Sequence, residues 1–99
     1  MIVQFKNDDK GYLNWIRENP NGYVYNDFGG ADVTYKKLHR ADCKLLHNIP
    51  PKWKRTSYRK ICCSNFYELV SWLKENRGPE DTGFSFCVAC ESSPTNSII

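Results

Sequence analysis

The stretch "SNFYELVSWLKENRGP", residues 64–79, contains the strongest secondary-structure signal in this 99-residue chain. Its apolar residues recur at the i, i+3, i+4 and i+7 spacing of one helix face: Phe66, Leu69, Val70 and Leu73. Asn65, with Glu68 three residues later, resembles a capping box, and Ser64 is an alternative N-cap. Gly78 and Pro79 then end the helix, because glycine accepts a left-handed backbone and proline cannot continue a helix. The stretch therefore predicts a helix that packs one face against a core.

The rest of the chain predicts short strands and one more helix. Runs of β-favouring residues predict four strands, at residues 1–5, 22–26, 33–39 and 58–63. The segment "KGYLNWIREN", residues 10–19, predicts a helix that Asp8 or Asp9 caps. This order indicates an α+β fold, a small single domain with a short, mostly antiparallel sheet and two main helices packed on it. We expect the domain to span residues 1–91 and a flexible tail to follow at 92–99.

Five cysteines are many for a chain of this length, and an odd number does not suit a framework of paired disulfides. The N-terminal residues "MIVQFKNDDKG" do not contain an apolar core of signal-peptide length. No apolar run approaches the roughly 20 residues that a membrane helix needs. We therefore expect a cytoplasmic protein, without a membrane partner, whose thiols are reduced and available to a metal.

The spacing of cysteine and histidine predicts a structural zinc site. Cys87 and Cys90 form a C-x-x-C pair, a spacing that aims two sulfurs at one ion. His39 and Cys43 lie four residues apart, so a helical turn starting near His39 brings their side chains together. Four protein ligands leave no open position on the metal, which makes its role structural rather than catalytic. Such a clip adds stability that a small core lacks.

Other readings of these residues stay open. The cysteines can be small core residues, and a C-x-x-C pair can be a redox motif, although only a polar tail follows it here. Cys62 and Cys63 would point to opposite faces of a strand, and Cys62 is the better substitute if His39 is not a ligand. His47 is a further candidate ligand, a phosphate contact or a surface histidine.

The positive charge of the chain is concentrated in residues 36–60. This segment has nine lysines and arginines and a single acidic residue, whereas the net charge of the whole chain is only +3. Cations interleaved with aromatic rings are typical of nucleic-acid contacts, since ammonium and guanidinium groups bind phosphates and rings stack on bases. The predicted nucleic-acid-binding residues are Lys52, Trp53, Lys54, Arg55, Tyr58, Arg59 and Lys60. A buried Trp53 flanked by solvated lysines is the alternative interpretation.

These patterns predict a zinc-stabilised module that binds nucleic acid, DNA rather than RNA, and that is not an enzyme. Phosphate-binding loops and paired catalytic carboxylates are not evident in the sequence. The main alternative is a protein-interaction adaptor whose basic face meets an acidic partner. A small nuclease or redox enzyme is a third reading.

Three stretches and the terminal "CVAC" give the chain a family resemblance. The stretches are "YLNWIRENPNGYVYN" (12–26), "LHRADC" (38–43) and "YRKICCSNFYELVSWL" (58–73). Together they resemble small bacterial zinc-type domains that stand alone or beside HNH-type nuclease modules in restriction-like proteins. The resemblance implies a defence-linked DNA-binding module, a protein partner such as a nuclease, and metal ligands at His39, Cys43, Cys87 and Cys90. The chain departs from that pattern in having no nuclease module and in its doubled Cys62-Cys63.

Overall fold

The computed structural model describes residues 1–27, 36–43, 46, 54–79 and 83–87. These residues form five strands: β1 (Val3–Phe5), β2 (Tyr23–Asp27), β3 (Lys37–Arg40), β4 (Arg59–Cys63) and β5 (Ser85–Phe86). They also form two helices, α1 (Asp9–Glu18) and α2 (Phe66–Arg77).

The five strands belong to one sheet with the order β1-β4-β2-β3-β5. The pairs β1–β4, β4–β2 and β2–β3 are antiparallel, whereas β3 and β5 are parallel. The predicted α+β class and mostly antiparallel sheet are therefore confirmed. Strand β5 was not predicted, because it is only two residues long and follows a segment that lacks a strand pattern.

Each face of the sheet is covered by one helix, because successive side chains of a strand point to opposite faces. Helix α1 packs on one face of the sheet through Tyr12 and Ile16. The core on this face also contains Val24, Ala41, Cys43, Leu46, Cys62 and Cys87. Helix α2 packs on the other face through Leu69 and Leu73. The core on that face also contains Tyr23, Tyr25, Leu38, Ile61, Cys63 and Phe84. As expected for neighbours on a strand, Cys62 and Cys63 lie on opposite faces.

The N-terminus of α1 is capped by Asp8, whose carboxylate accepts a hydrogen bond of 3.0 Å from the backbone N–H of Gly11. This capping bond satisfies one of the free amides that every helix has in its first turn. The helix buries Tyr12 and Ile16 against the sheet. Asp9, the other predicted cap, instead accepts hydrogen bonds from the backbone of Arg55 and Thr56.

The N-terminus of α2 is capped by Asn65 rather than by Ser64. The side-chain oxygen of Asn65 accepts a 2.9 Å hydrogen bond from the backbone N–H of Glu68. The Glu68 carboxylate does not complete the predicted capping box, because it forms an ion pair of 2.9 Å with the amino group of Met1. The helix ends at Gly78, whose φ of 98° lies in the region that favours glycine.

The predicted tail at residues 92–99 lies outside the described residues. Neither α1 nor α2, the two helices that the structure describes, is long and apolar enough to span a membrane.

Candidate metal centre and basic surface

Three of the four predicted metal ligands converge in the structure. The ligand atoms of His39, Cys43 and Cys87 all lie within 4.8 Å of one another, and all three residues are buried. The two sulfurs of this group are 3.9 Å apart. The fourth predicted ligand, Cys90, lies outside the described residues, as does His47. The converging residues could hold a metal ion.

The parallel pairing of β3 and β5 brings these ligands together. His39 lies on β3, and Cys87 directly follows β5. The backbone N–H of Cys87 donates a 3.0 Å hydrogen bond to the carbonyl of Leu38, the residue before His39. This bond fixes the end of β5 beside the centre of β3, and the cluster therefore depends on a strand that the sequence did not reveal.

Cys43 reaches the cluster through a turn that follows β3. Its backbone N–H donates a 3.0 Å hydrogen bond to the carbonyl of Arg40, which reverses the chain after the strand. The predicted helical turn starting at His39 is therefore wrong, because His39 is in an extended strand. The i and i+4 side chains still converge, since the reversal folds Cys43 back onto the α1 face where His39 lies.

The environment of His39 favours the neutral imidazole that a metal requires. Burial, together with the nearby positive charges of Lys60 and Lys37, lowers the pKa of His39 to about 4. Within the described part of the chain, the buried Nδ1 atom of His39 has no hydrogen-bond partner. Buried polar atoms are usually paired, so an unpaired nitrogen beside two thiols is consistent with an imidazole that ligates a metal.

Cys62 and Cys63, the other two cysteines in the described part of the chain, do not belong to this cluster. Cys62 lies on the α1 face, where burial raises the pKa of its thiol to about 12. Cys63 is on the opposite face, and its sulfur accepts a hydrogen bond from the backbone N–H of Asn65 at 3.5 Å. Neither is among the residues that the described chain brings together as ligands, which agrees with their interpretation as packing residues.

The predicted nucleic-acid-binding residues separate into four groups. Lys54, Tyr58 and Arg59 are exposed, and Tyr58 retains 49 % of its accessible surface. Arg55 is half-buried, and Lys52 and Trp53 lie outside the described residues. Lys60 was predicted to be a surface contact, but it lies on β4 and is buried, with only 8 % of its surface exposed.

The segment before β4 is attached to the start of α1 by a network that the sequence analysis missed. The Asp9 carboxylate accepts hydrogen bonds from the backbone N–H groups of Arg55 and Thr56, each at 2.9 Å, and from the Thr56 hydroxyl at 2.6 Å. The Thr56 hydroxyl oxygen also accepts from the Asp8 N–H, and the Thr56 carbonyl accepts from the Asn7 N–H. Thr56 is fully buried. These bonds fix the backbone between Lys54 and Arg59.

Lys6 extends the basic surface beyond the block that the sequence marks. Its ammonium group donates a 2.7 Å hydrogen bond to the carbonyl of Ser57, so its positive charge lies beside Tyr58 and Arg59. No sequence pattern links residue 6 to residue 57. The link exists because β1 and β4 are neighbours in the sheet.

No protein-family model, curated protein or solved structure matches this chain.

Proposed function

We propose that this protein is a zinc-stabilised module that binds nucleic acid, DNA in preference to RNA, through the exposed residues between Lys54 and Arg59. In this proposal the metal holds the fold and the protein acts by binding rather than by catalysis. The supporting observation is an exposed tyrosine flanked by cations on a backbone that Asp9 and Thr56 hold in place.

Zinc suits the donor set of the cluster. Two thiols and an imidazole are soft to intermediate ligands, which favour zinc over magnesium or calcium. A tetrahedral zinc with Zn–S bonds of about 2.3 Å would separate two sulfurs by about 3.8 Å, close to the observed 3.9 Å. Cys90, three residues beyond Cys87, would supply the fourth ligand and close the site.

The chemistry of the exposed segment suits a nucleic-acid backbone. Lys54 and Arg59 would contact phosphates, and Lys6 would add a third positive charge beside them. Tyr58 offers a ring face that a base can stack on. Lys52 and Trp53 would extend the same surface. Because the Asp9 network already orders this backbone, binding would cost less conformational entropy than ordering a free loop.

The resemblance to zinc-type domains of restriction-like proteins suggests the biological setting. We propose that the module serves bacterial defence against foreign DNA in the cytoplasm, with a nuclease as its protein partner.

Binding to a fluorescent mixed-sequence DNA duplex, measured by anisotropy over a salt series, tests the proposal. The double variant Lys54→Ala/Arg59→Ala should bind at least about ten-fold more weakly. Its slope of log affinity against log salt should fall by about two, because roughly one counterion is released per phosphate contact. Lys74→Ala is the control, since Lys74 is an exposed lysine on α2, across the sheet from α1.

Two results would contradict the proposal. One is the absence of duplex binding at moderate salt, which would favour an adaptor that meets an acidic protein. The other is an equal loss of affinity in the Lys74→Ala control, which would show only a general effect of net charge. Repeating the measurement with an RNA duplex of the same sequence tests the preference for DNA.

A further inference from the structure

Lys60 is a buried cation that forms no ion pair in the described parts of the chain, although the charge of the Asp9 carboxylate acts on it. Only 8 % of its surface is exposed. Its Nζ donates a 2.9 Å hydrogen bond to the side-chain oxygen of Asn26 and lies 5.8 Å from the centre of the Tyr12 ring. Both contacts are weaker than an ion pair, and burying an ammonium group without an anion is unfavourable. A hydrophobic residue at this position would stabilise the fold better, so we expect the positive charge of Lys60 to have a function.

Asn26 and Lys37 extend a polar row from Lys60 across the sheet. Asn26 on β2 is the register partner of Lys60 on β4. On β3, Lys37 lies one residue before Leu38, whose partner is Tyr25, so Lys37 is next to Asn26. All three side chains lie on the α1 face, because residues two apart on a strand point to the same side. Lys60 is two residues from Cys62, and Asn26 is two residues from Val24, both of which lie on that face. Lys37 is two residues from His39 of the metal cluster.

This row can bind an anion between its two lysines. Adjacent strands are about 4.8 Å apart, so the lysines on β4 and β3, the two strands that flank β2, can each reach a different oxygen of an ion held above Asn26. Lys60 is buried, whereas Asn26 and Lys37 are half-buried, so solvent reaches the row at Asn26 and Lys37.

We propose that Lys60, Asn26 and Lys37 form a binding site for a phosphate group on the α1 face of the sheet. Phosphate is tetrahedral and carries about two negative charges near neutral pH, so two ammonium groups can neutralise it while bonding to separate oxygens. The site differs from the exposed surface at Lys54–Arg59. The limited exposure of Lys60 favours a small ion or a terminal phosphate over the continuous backbone of a duplex.

Binding of inorganic phosphate to the metal-loaded protein tests this site. Isothermal titration and thermal unfolding are measured in phosphate and in chloride of equal ionic strength. Wild type should bind phosphate and unfold at a higher temperature in it. Lys60→Met and Lys37→Met should each weaken phosphate binding by at least about ten-fold, and Lys74→Met, which removes an exposed lysine from α2, should leave it unchanged.

The proposal is overturned if phosphate has no more effect than chloride on wild type, or if Lys74→Met lowers the affinity as much as the other two variants. Because Lys37 is half-buried, its replacement keeps the test valid even if Lys60→Met does not fold.

Oligonucleotides with and without a 5′-phosphate identify the source of the group. Tighter binding of the phosphorylated form, lost in Lys60→Met, supports a nucleic-acid end as the ligand. Phosphate binding without this preference supports the same site with a free phosphate as its ligand. Since inorganic phosphate is measured without DNA, this test can fail while the DNA test succeeds, or the reverse.

Discussion

The sulfur atoms of Cys43 and Cys87 lie 3.9 Å apart, although 44 residues separate them in the sequence. This contact closes the segment that contains the basic residues, β4 and α2 into one loop. A metal bound here would remove much of the conformational freedom of that loop in the unfolded chain. Metal binding at this cluster would therefore be coupled to the stability of most of the domain.

We predict about one zinc per chain in protein purified without chelators. Cys43→Ser and Cys87→Ser should each lose most of this metal and unfold at a markedly lower temperature. Cys63→Ala is the matched control, because Cys63 is equally buried but lies on the α2 face. Elemental analysis and thermal unfolding provide the measurements. A metal-free protein of unchanged stability would show that the three residues are only packed together.

Replacing Asp9 should release the segment that precedes β4. Asp9→Ala removes the acceptor of three hydrogen bonds and leaves the buried Thr56 hydroxyl and two amides without it. We expect a loss of about 2 kcal/mol in the free energy of unfolding and faster hydrogen exchange at the Arg55 and Thr56 amides. Asp42→Ala, which breaks only a surface ion pair with Arg40, should cost less than about 1 kcal/mol. Equal losses in both variants would argue against the network.

The stabilisation by Asp9 should depend on pH. The hydrogen bond from the Thr56 hydroxyl lowers the pKa of the Asp9 carboxyl below its ordinary value of 3.8. The folded protein therefore binds a proton at the Asp9 carboxyl less tightly than the unfolded chain does. The stabilisation by Asp9 is present above pH 3.8 and is lost as the pH falls through the folded-state pKa of Asp9. Acid unfolding of wild type and Asp9→Asn should therefore converge at low pH.

The cap of α2 offers a direct comparison of two neighbouring residues. Asn65→Ala removes the acceptor for the Glu68 N–H and should lower the free energy of unfolding by about 1 kcal/mol. Ser64→Ala should change it little, since Ser64 is exposed and precedes the cap. Chemical denaturation of the two variants measures the difference. A larger loss in Ser64→Ala would mean that the helix begins one residue earlier.

Lys60 should make the protein more stable as the pH rises from about 8. Burial lowers the pKa of Lys60 to about 8 from the ordinary lysine value of 10.5. Between these values the unfolded chain binds the proton and the folded chain does not, so stability increases with pH, by at most about 3 kcal/mol. Lys60→Met should be more stable than wild type at pH 7, and the two should approach each other above pH 10. A constant difference across this range would contradict the prediction.

The parts of the fold that depend on local patterns could be predicted from the sequence. The apolar spacing of Leu69 and Leu73 and the stop at Gly78 defined α2 to within a few residues. Three of the four predicted ligands lie close together and could hold a metal ion. They were predicted because C-x-x-C and H-x-x-x-C spacings are typical of metal sites.

The parts that depend on distant pairing could not be predicted. The short β5 exists through its backbone bonds to β3, which no side-chain pattern announces. The Asp9–Thr56 network likewise requires β1 and β4 to be neighbours, and a sequence does not show strand order. The burial of Lys60 also escaped prediction, because a lysine among other lysines indicates a surface.

The central position of β4 constrains how the protein is made. This strand lies between β1 and β2, yet it leaves the ribosome more than 50 residues after β1. During translation the nascent chain therefore presents β1 and one edge of β2 without their partner, and the sheet closes only when β4 emerges. Until that moment the newly made N-terminal half exposes strand edges that are open to premature association, and a chaperone that shields them would increase the yield of folded protein.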